Sequence, residues 1–143
     1  MRLIEPVTSS DFEKYYQLRW EVLRKPWNQE PGSEKDAYEN SSVHVMALEE
    51  NEQCVGVGRL QFNTSEEAQV RFVGIREDQQ GKGVGKKIMH LLEKRAKEKG
   101  MKKIILQARE NAVDFYLSLG YSQMEKTFLL WGIIQHFKME KEI

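Results

Sequence analysis

The residues whose types and spacing could do chemistry are Gln79-Gln80-Gly81-Lys82-Gly83-Val84-Gly85-Lys86-Lys87. Glycines at alternate positions let the backbone approach a ligand with no Cβ in the way. The periodic stretch from Val84 to Lys99 predicts a helix whose free N–H groups and positive dipole end face this loop. Lys82, Lys86 and Lys87 add cationic charge around it. The chemistry is anion binding, and the ligand it suits is a pyrophosphate. Two other phosphate loops are excluded by their residues. A Walker loop needs a Ser or Thr after its lysine, and none follows here. A dinucleotide fingerprint needs a third glycine where Lys86 stands, and it follows the first strand of a βαβ unit, whereas three predicted antiparallel strands come first here.

Those elements follow from apolar spacing and turn residues. Leu3 to Pro6 reads as an opening strand. Ser10-Asp11-Phe12-Glu13 has the Ser-x-x-Glu form of a capping box, and Phe12, Tyr15, Tyr16, Val22 and Leu23 recur at helical spacing up to about Leu23. Lys25 to Asn40, broken by Pro26, Pro31 and Gly32, predicts a long loop with room for one helical turn. Val43 to Leu48, Val55 to Leu60 and Gln69 to Ile75 read as strands on short polar connectors, hence antiparallel neighbours. The helix after the glycine loop presents Val84, Ile88, Leu91, Leu92, Arg95 and Ala96 as its core face, with Gly100 past its end. Ile104-Ile105-Leu106 predicts a strand buried on both faces and parallel to the one before the helix. Asn111 would cap a short helix over Ala112 to Leu119, and Thr127 to Trp131 with Ile133 to Met139 would form a terminal hairpin around Gly132. The expected fold is α/β: one domain over residues 1–143, with a mixed, mostly antiparallel sheet flanked by helices.

Bulk composition narrows the function classes. Hydrophobic residues make up 40% and charged residues 31% of the 143 residues, an ordinary globular balance. Twenty-two basic against 22 acidic residues argue against a nucleic-acid partner. No apolar run reaches the roughly 20 residues of a membrane helix, and Met1 to Pro6 holds no apolar core long enough for a signal peptide, so none is expected. The single Cys54 forbids an internal disulfide and fits a reducing, cytoplasmic setting; it reads as an inert thiol rather than a nucleophile. His44, His90 and His136 show no metal-ligand spacing, so no metal is expected.

Gln80-x-x-Gly83-x-Gly85, after a strand and opening a helix, resembles the R/Q-x-x-G-x-G/A signature of the GNAT superfamily of acyl-CoA N-acyltransferases. Asn111-Ala112-Val113-Asp114-Phe115-Tyr116, ending in Leu119-Gly120-Tyr121, is similar to that family's N-x-x-x-x-F/Y-Y…G-F/Y segment. The element order resembles the family over nearly the whole chain. The resemblance implies acetyl-CoA as co-substrate and an amine of a small molecule or peptide as acceptor. It implies Gln80, Gly81, Lys82, Gly83, Val84, Gly85 and Lys86 around the pyrophosphate, with Val73, Ile75 and Asn111 against the pantetheine.

Tyr116 carries two readings, a packed aromatic or, by resemblance, the general acid that protonates the leaving thiolate. No carboxylate lies within Gln69 to Ile75, where some family members hold a glutamate base. A water relay, His44, Glu110 and His136 remain as alternatives. Glu30, Glu34, Asp36 and Glu39 with Trp27 make the long loop acidic, which would attract a cationic amine unless these are ordinary solvated charges. A homodimer stays open. The rival function is a non-catalytic CoA-binding regulatory module on the same fold.

Overall fold

Pairing of the alternating stretches builds one sheet through the whole molecule. The computed structural model describes residues 1–143. Its strands are β1 (Arg2–Ile4), β2 (Val43–Leu48), β3 (Cys54–Phe62), β4 (Glu67–Ile75), β5 (Lys103–Arg109), β6 (Ser122–Leu130) and β7 (Ile134–Glu142), in the order β1-β2-β3-β4-β5-β7-β6. The helices are α1 (Ser9–Leu23), α2 (Val84–Glu98) and the short α3 (Val113–Ser118). Only β4 and β5 run parallel, because α2 makes the crossover between them. The terminal hairpin turns at Trp131-Gly132, both with positive φ, and inserts β7 between β5 and β6.

The two faces are covered by different helices. Tyr15 and Leu18 of α1 bury against Met46, Leu48 and Val57 on one face. Val84, Ile88, Met89, Leu92 and Ala96 of α2 bury against Val45, Val55, Leu60, Val70 and Leu106 on the other. Gly56 and Gly58 let α2 lie directly on β3: a Cβ at Gly58 would stand 2.6 Å from the Ile88 Cγ2.

Several local expectations shift. The capping box belongs to Thr8 and Asp11, not Ser10 and Glu13: the Asp11 N–H donates to the Thr8 hydroxyl at 3.0 Å, and the Thr8 N–H donates back to the Asp11 carboxylate. The buried stripe of α2 includes Met89 and Glu93, while Leu91 and Arg95 are only half-buried. Glu93 tolerates burial because the Tyr121 hydroxyl, at 2.8 Å, and the Lys141 ammonium donate to it. Gly100 ends α2 as expected, in the left-handed region at φ 79°, with the Met101 N–H reaching the Ala96 carbonyl at 3.0 Å. Ile104 and Leu106 are buried but Ile105 is half-exposed, so β5 is not covered on both faces: α1 stops short of it. Asn111 does not cap α3; a 3₁₀ turn over Glu110–Ala112 precedes the helix and leaves Ala112 at its start with no side-chain cap.

Candidate active site

The site begins with an interruption in strand pairing. β4 and β5 are in register only from Glu67↔Lys103 to Val70↔Leu106. Beyond that point Arg71 to Ile75 has no partner on its β5 side, and Gln107 to Arg109 pairs with β7 alone. The cause lies in β4. Phe72 adopts φ 55°, and its neighbourhood carries one more residue than the facing stretch of β3 between Val57 and Arg59. This is a bulge, which bends β4 away from β5. Non-glycine residues rarely hold that conformation. Phe72 is held by a stack of guanidinium groups, with Arg19 at 4.4 Å, Arg71 at 4.7 Å, Arg59 at 4.8 Å and Arg24 at 5.5 Å from its ring centroid.

The glycine loop sits at the end of the splayed strand. Gly81 (φ 76°) and Gly83 (φ 84°) are left-handed, and a Cβ built on either would meet nothing within 4 Å. Conformation, not crowding, therefore demands glycine here, and the peptide face is open. Gly83 precedes α2 with no side-chain cap, so the first N–H groups of the helix point out unused. Gly85 differs, because a Cβ there would come within 3.1 Å of the Phe115 ring and hold α2 off α3. Gln80, though exposed, folds back on its own loop: its amide donates to the Ile75 carbonyl at 3.1 Å and closes the loop onto β4. Lys82, Lys86 and Lys87 are exposed around the loop. An open strand edge running into an open N–H cradle fits an extended, phosphate-ended ligand such as acetyl-CoA.

Between the parted strands lies a cavity of about 330 Å³. Val73 and Tyr116 line it, as do Leu23 and Arg24 at the end of α1, Arg71, Arg109, Phe128 and His136. Tyr116 is 8% exposed, and its hydroxyl takes no hydrogen bond from the chain. Burial pushes this phenol above its ordinary pKa, so it is protonated, and the charge of Arg109 partly opposes the shift. Ile75 and Asn111 do not line the cavity; Asn111 is exposed in the turn after β5.

Among the base candidates the structure separates three residues that the sequence leaves level. His44 lies outside the cavity and has both ring nitrogens engaged, one by the Tyr15 hydroxyl at 2.8 Å and one by the Glu39 carbonyl at 2.7 Å. Glu110 is exposed and outside the cavity. His136 lines the cavity, stacked on Phe128 with centroids 4.3 Å apart. Its Nδ1–H donates to the Ile134 carbonyl at 3.0 Å, which leaves Nε2 with a free lone pair. Burial first, then the charges of Arg109, Arg24 and Arg71, lower its pKa and keep it neutral.

The acidic loop is not a free anionic surface. Glu34 is buried and accepts from the Gly32 N–H at 2.8 Å. Glu39 joins the buried Arg19 and Arg59 at 2.9 and 2.8 Å. Asp36 joins Arg59 at 2.6 Å and Arg71 at 3.0 Å. Burial would raise the Asp36 pKa, but hydrogen bonds from Arg59 and the Tyr38 N–H outweigh it and hold the carboxyl at about 2. Of the four acids only Glu30 stays exposed and outside this network. Trp27 packs on Trp131 at 6.4 Å, so it supplies no free aromatic wall. Cys54 is an unreactive thiol, pushed up to about 11 by burial. The arginine network had one sequence cue, Arg19, Arg59 and Arg71 within elements read as core and Arg24 and Arg109 just past the ends of two others, but their convergence depends on the fold.

Known proteins share the fold that builds this geometry. The model of a family described as "Acetyltransferase (GNAT) family" matches residues 12–121. The uncharacterized N-acetyltransferase YjcF of Bacillus subtilis (strain 168) is 32% identical over 143 residues, covering 99% of this chain and 100% of its own length. A putative N-acetyltransferase from Lactobacillus plantarum superposes with a TM-score of 0.86 at 17% identity, over 99% of this chain and 97% of that one. An aminoglycoside 6'-N-acetyltransferase solved with coenzyme A gives 0.83 at 15% identity, with the same coverage. At those identities the two structures speak for the fold alone.

Proposed function

The chain belongs to the GNAT family of acetyltransferases, and from that premise we propose that it moves the acetyl group of acetyl-CoA to a primary amine of a small molecule or peptide by direct attack in a ternary complex. The observation that carries this reading is the pairing of a protonated phenol, Tyr116, with a neutral imidazole, His136, on the walls of one cavity that opens where β4 leaves β5. The pyrophosphate rests on the Gly81 to Lys86 amides and the start of α2. The pantetheine extends along the unpaired edge of β4 past Val73 and Ile75, with Asn111 at its flank. This delivers the thioester to the cavity.

The amine enters from the α1 side. His136 Nε2 accepts a proton from it, directly or through one water, and the amine nitrogen bonds to the thioester carbon. Backbone N–H groups of the bulged β4 edge take the charge that develops on the carbonyl oxygen. As the C–S bond breaks, Tyr116 gives its proton to the sulfur. Arg109 stabilises the phenolate left behind, and the proton held by His136 restores the phenol through solvent. The net change is one proton moved from nitrogen to sulfur. Holding both reactants in one cavity supplies much of the acceleration.

Thermal denaturation with acetyl-CoA, CoA and NAD in parallel tests the ligand. At 100 times its dissociation constant a ligand stabilises by about 2.7 kcal/mol. Stabilisation by NAD and not by acetyl-CoA overturns the reading. Free-thiol release over an amine panel then separates an enzyme from a binding module, for which no amine would accelerate release.

A further inference from the structure

The cavity between β4 and β5 has a charge that acetyl transfer alone does not require. Arg24, Arg71 and Arg109 line it, and no Asp or Glu does. Arg71 is partly neutralised through Asp36. Arg24 and Arg109 have no ion-pair partner, and the one carboxylate whose charge reaches Arg24, Glu34, lies outside the cavity. The ion pairs of the chain take in Arg2, Arg19, Arg59, Arg71, Arg76 and Arg95, and neither Arg24 nor Arg109 appears among them. Both are half-buried. Both converge on one carbonyl at the end of α1: Arg24 Nη1 and Arg109 Nη2 each donate to the Leu23 oxygen at 3.1 Å. Of the five N–H donors that each guanidinium carries, Arg24 places one more on the Ser33 carbonyl. The rest have no protein acceptor. Gln107 adds a further donor, since its amide oxygen is taken by the Thr127 hydroxyl at 2.6 Å, which leaves its NH₂ group free.

Two half-buried like charges held side by side without a counter-ion are costly unless a ligand supplies one. The phosphates of CoA do not supply it, because the residues of the glycine loop lie outside this cavity. We infer that the acceptor amine carries an oxyanion of its own, a carboxylate or a phosphate, bound by Arg24 and Arg109 on the α1 wall of the cavity with Arg71 and Gln107 at its margin. A cavity of about 330 Å³ is at the small end for ligand sites, so the amine and the oxyanion lie close together in a small head group. Such a wall repels polycations, so the inference favours a zwitterionic acceptor over the cationic one that the acidic loop suggested. This inference rests on the acetyl-transfer reading for the amine, but not for the anion.

The test has two arms. In the first, kcat/KM by thiol release is compared within matched amines: amino acids against their amides, phosphoethanolamine against ethanolamine, and spermidine as the polycation. The charged member should lead by about 10- to 100-fold, the range for hydrogen bonds to a charged group. Preference for amino acids or for phosphoethanolamine distinguishes a carboxylate from a phosphate. Arg24→Gln should erase the preference through KM while keeping stabilisation by acetyl-CoA. In the second arm, the protein saturated with CoA is titrated with inorganic phosphate, and Tm should rise in the wild type but not in the Arg24→Gln, Arg109→Gln double variant. Equal rates for charged and neutral amines, or no rise with phosphate in the wild type, overturn the inference without needing any variant to fold. A phosphate effect with no amine acetylated would refute the acetyl-transfer reading and leave the anion site standing.

Discussion

Glu39→Gln should be among the most damaging single substitutions at the rim of the site, although Glu39 touches no reacting group. Its carboxylate joins Arg19 at 2.9 Å and Arg59 at 2.8 Å, both with 0% side-chain exposure, and is itself 10% exposed. Removing one partner of a buried ion pair costs about 3–5 kcal/mol, because the remaining charge stays desolvated. Here Arg19 loses its only carboxylate while Arg59 keeps Asp36 at 2.6 Å, and the new NH₂ would face donors, so the middle of that range applies. Against a total stability of about 5–15 kcal/mol, the loss should move a urea midpoint down by about 2 M, taking a slope of about 2 kcal/mol/M. Function should follow stability. Arg19 and Arg59 hold the Phe72 ring, whose left-handed backbone costs about 1–2 kcal/mol and makes the bulge that parts β4 from β5. Equilibrium urea unfolding measures the first effect, and the acetyl-CoA dependence of Tm below the transition measures the second. The control is Glu52→Gln, which breaks an exposed pair with Arg2 and should leave the midpoint nearly unmoved. A Glu39→Gln midpoint indistinguishable from that of Glu52→Gln would refute the reasoning.

Three other outcomes are expected. Tyr116→Phe should lower kcat by about 10²-fold or more with stabilisation by acetyl-CoA unchanged; an unaltered kcat removes Tyr116 from proton transfer. For His136 the sign follows from its lowered pKa: with the neutral ring as the proposed base, kcat/KM should hold at neutral pH and fall on acidification with a midpoint below about 6.5. His136→Gln should cost about 10²-fold and remove that acid limb, whereas an unchanged pH profile assigns the base elsewhere. Gly83→Glu should abolish stabilisation by acetyl-CoA, since a carboxylate would enter the anion cradle, and should also lower the intrinsic Tm because φ 84° suits only glycine. Retained protection by acetyl-CoA would move the pyrophosphate off this loop.

What could be read from the residues alone was whatever depends on near neighbours in the chain. Apolar spacing marked α1, α2 and the centres of β1 to β5 and β7, but missed the exposed first half of β6, Ser122 to Lys126. Short polar connectors marked antiparallel pairs, and the single long helical crossover marked the one parallel pair, because turn chemistry and helix length leave few other connections. Gly81 and Gly83 were legible for the same reason: a loop that turns through positive φ into a helix declares itself in local residue types. Local reading failed where a cap or a buried face depends on contacts from elsewhere. Thr8 rather than Ser10 starts α1, and Glu93 is buried because Tyr121 and Lys141 reach it from distant elements. The cavity between β4 and β5 belongs to this second kind. His136 stands opposite Arg109 only through the β5–β7 register, and Arg24 meets Arg109 across 85 positions of sequence on the carbonyl of Leu23. The acids of the long loop suggested a negative surface, and the fold turned them inward onto arginines. Charge in a sequence is a count, whereas the field in a cavity depends on which charges have lost their partners. Only the folded chain decides that.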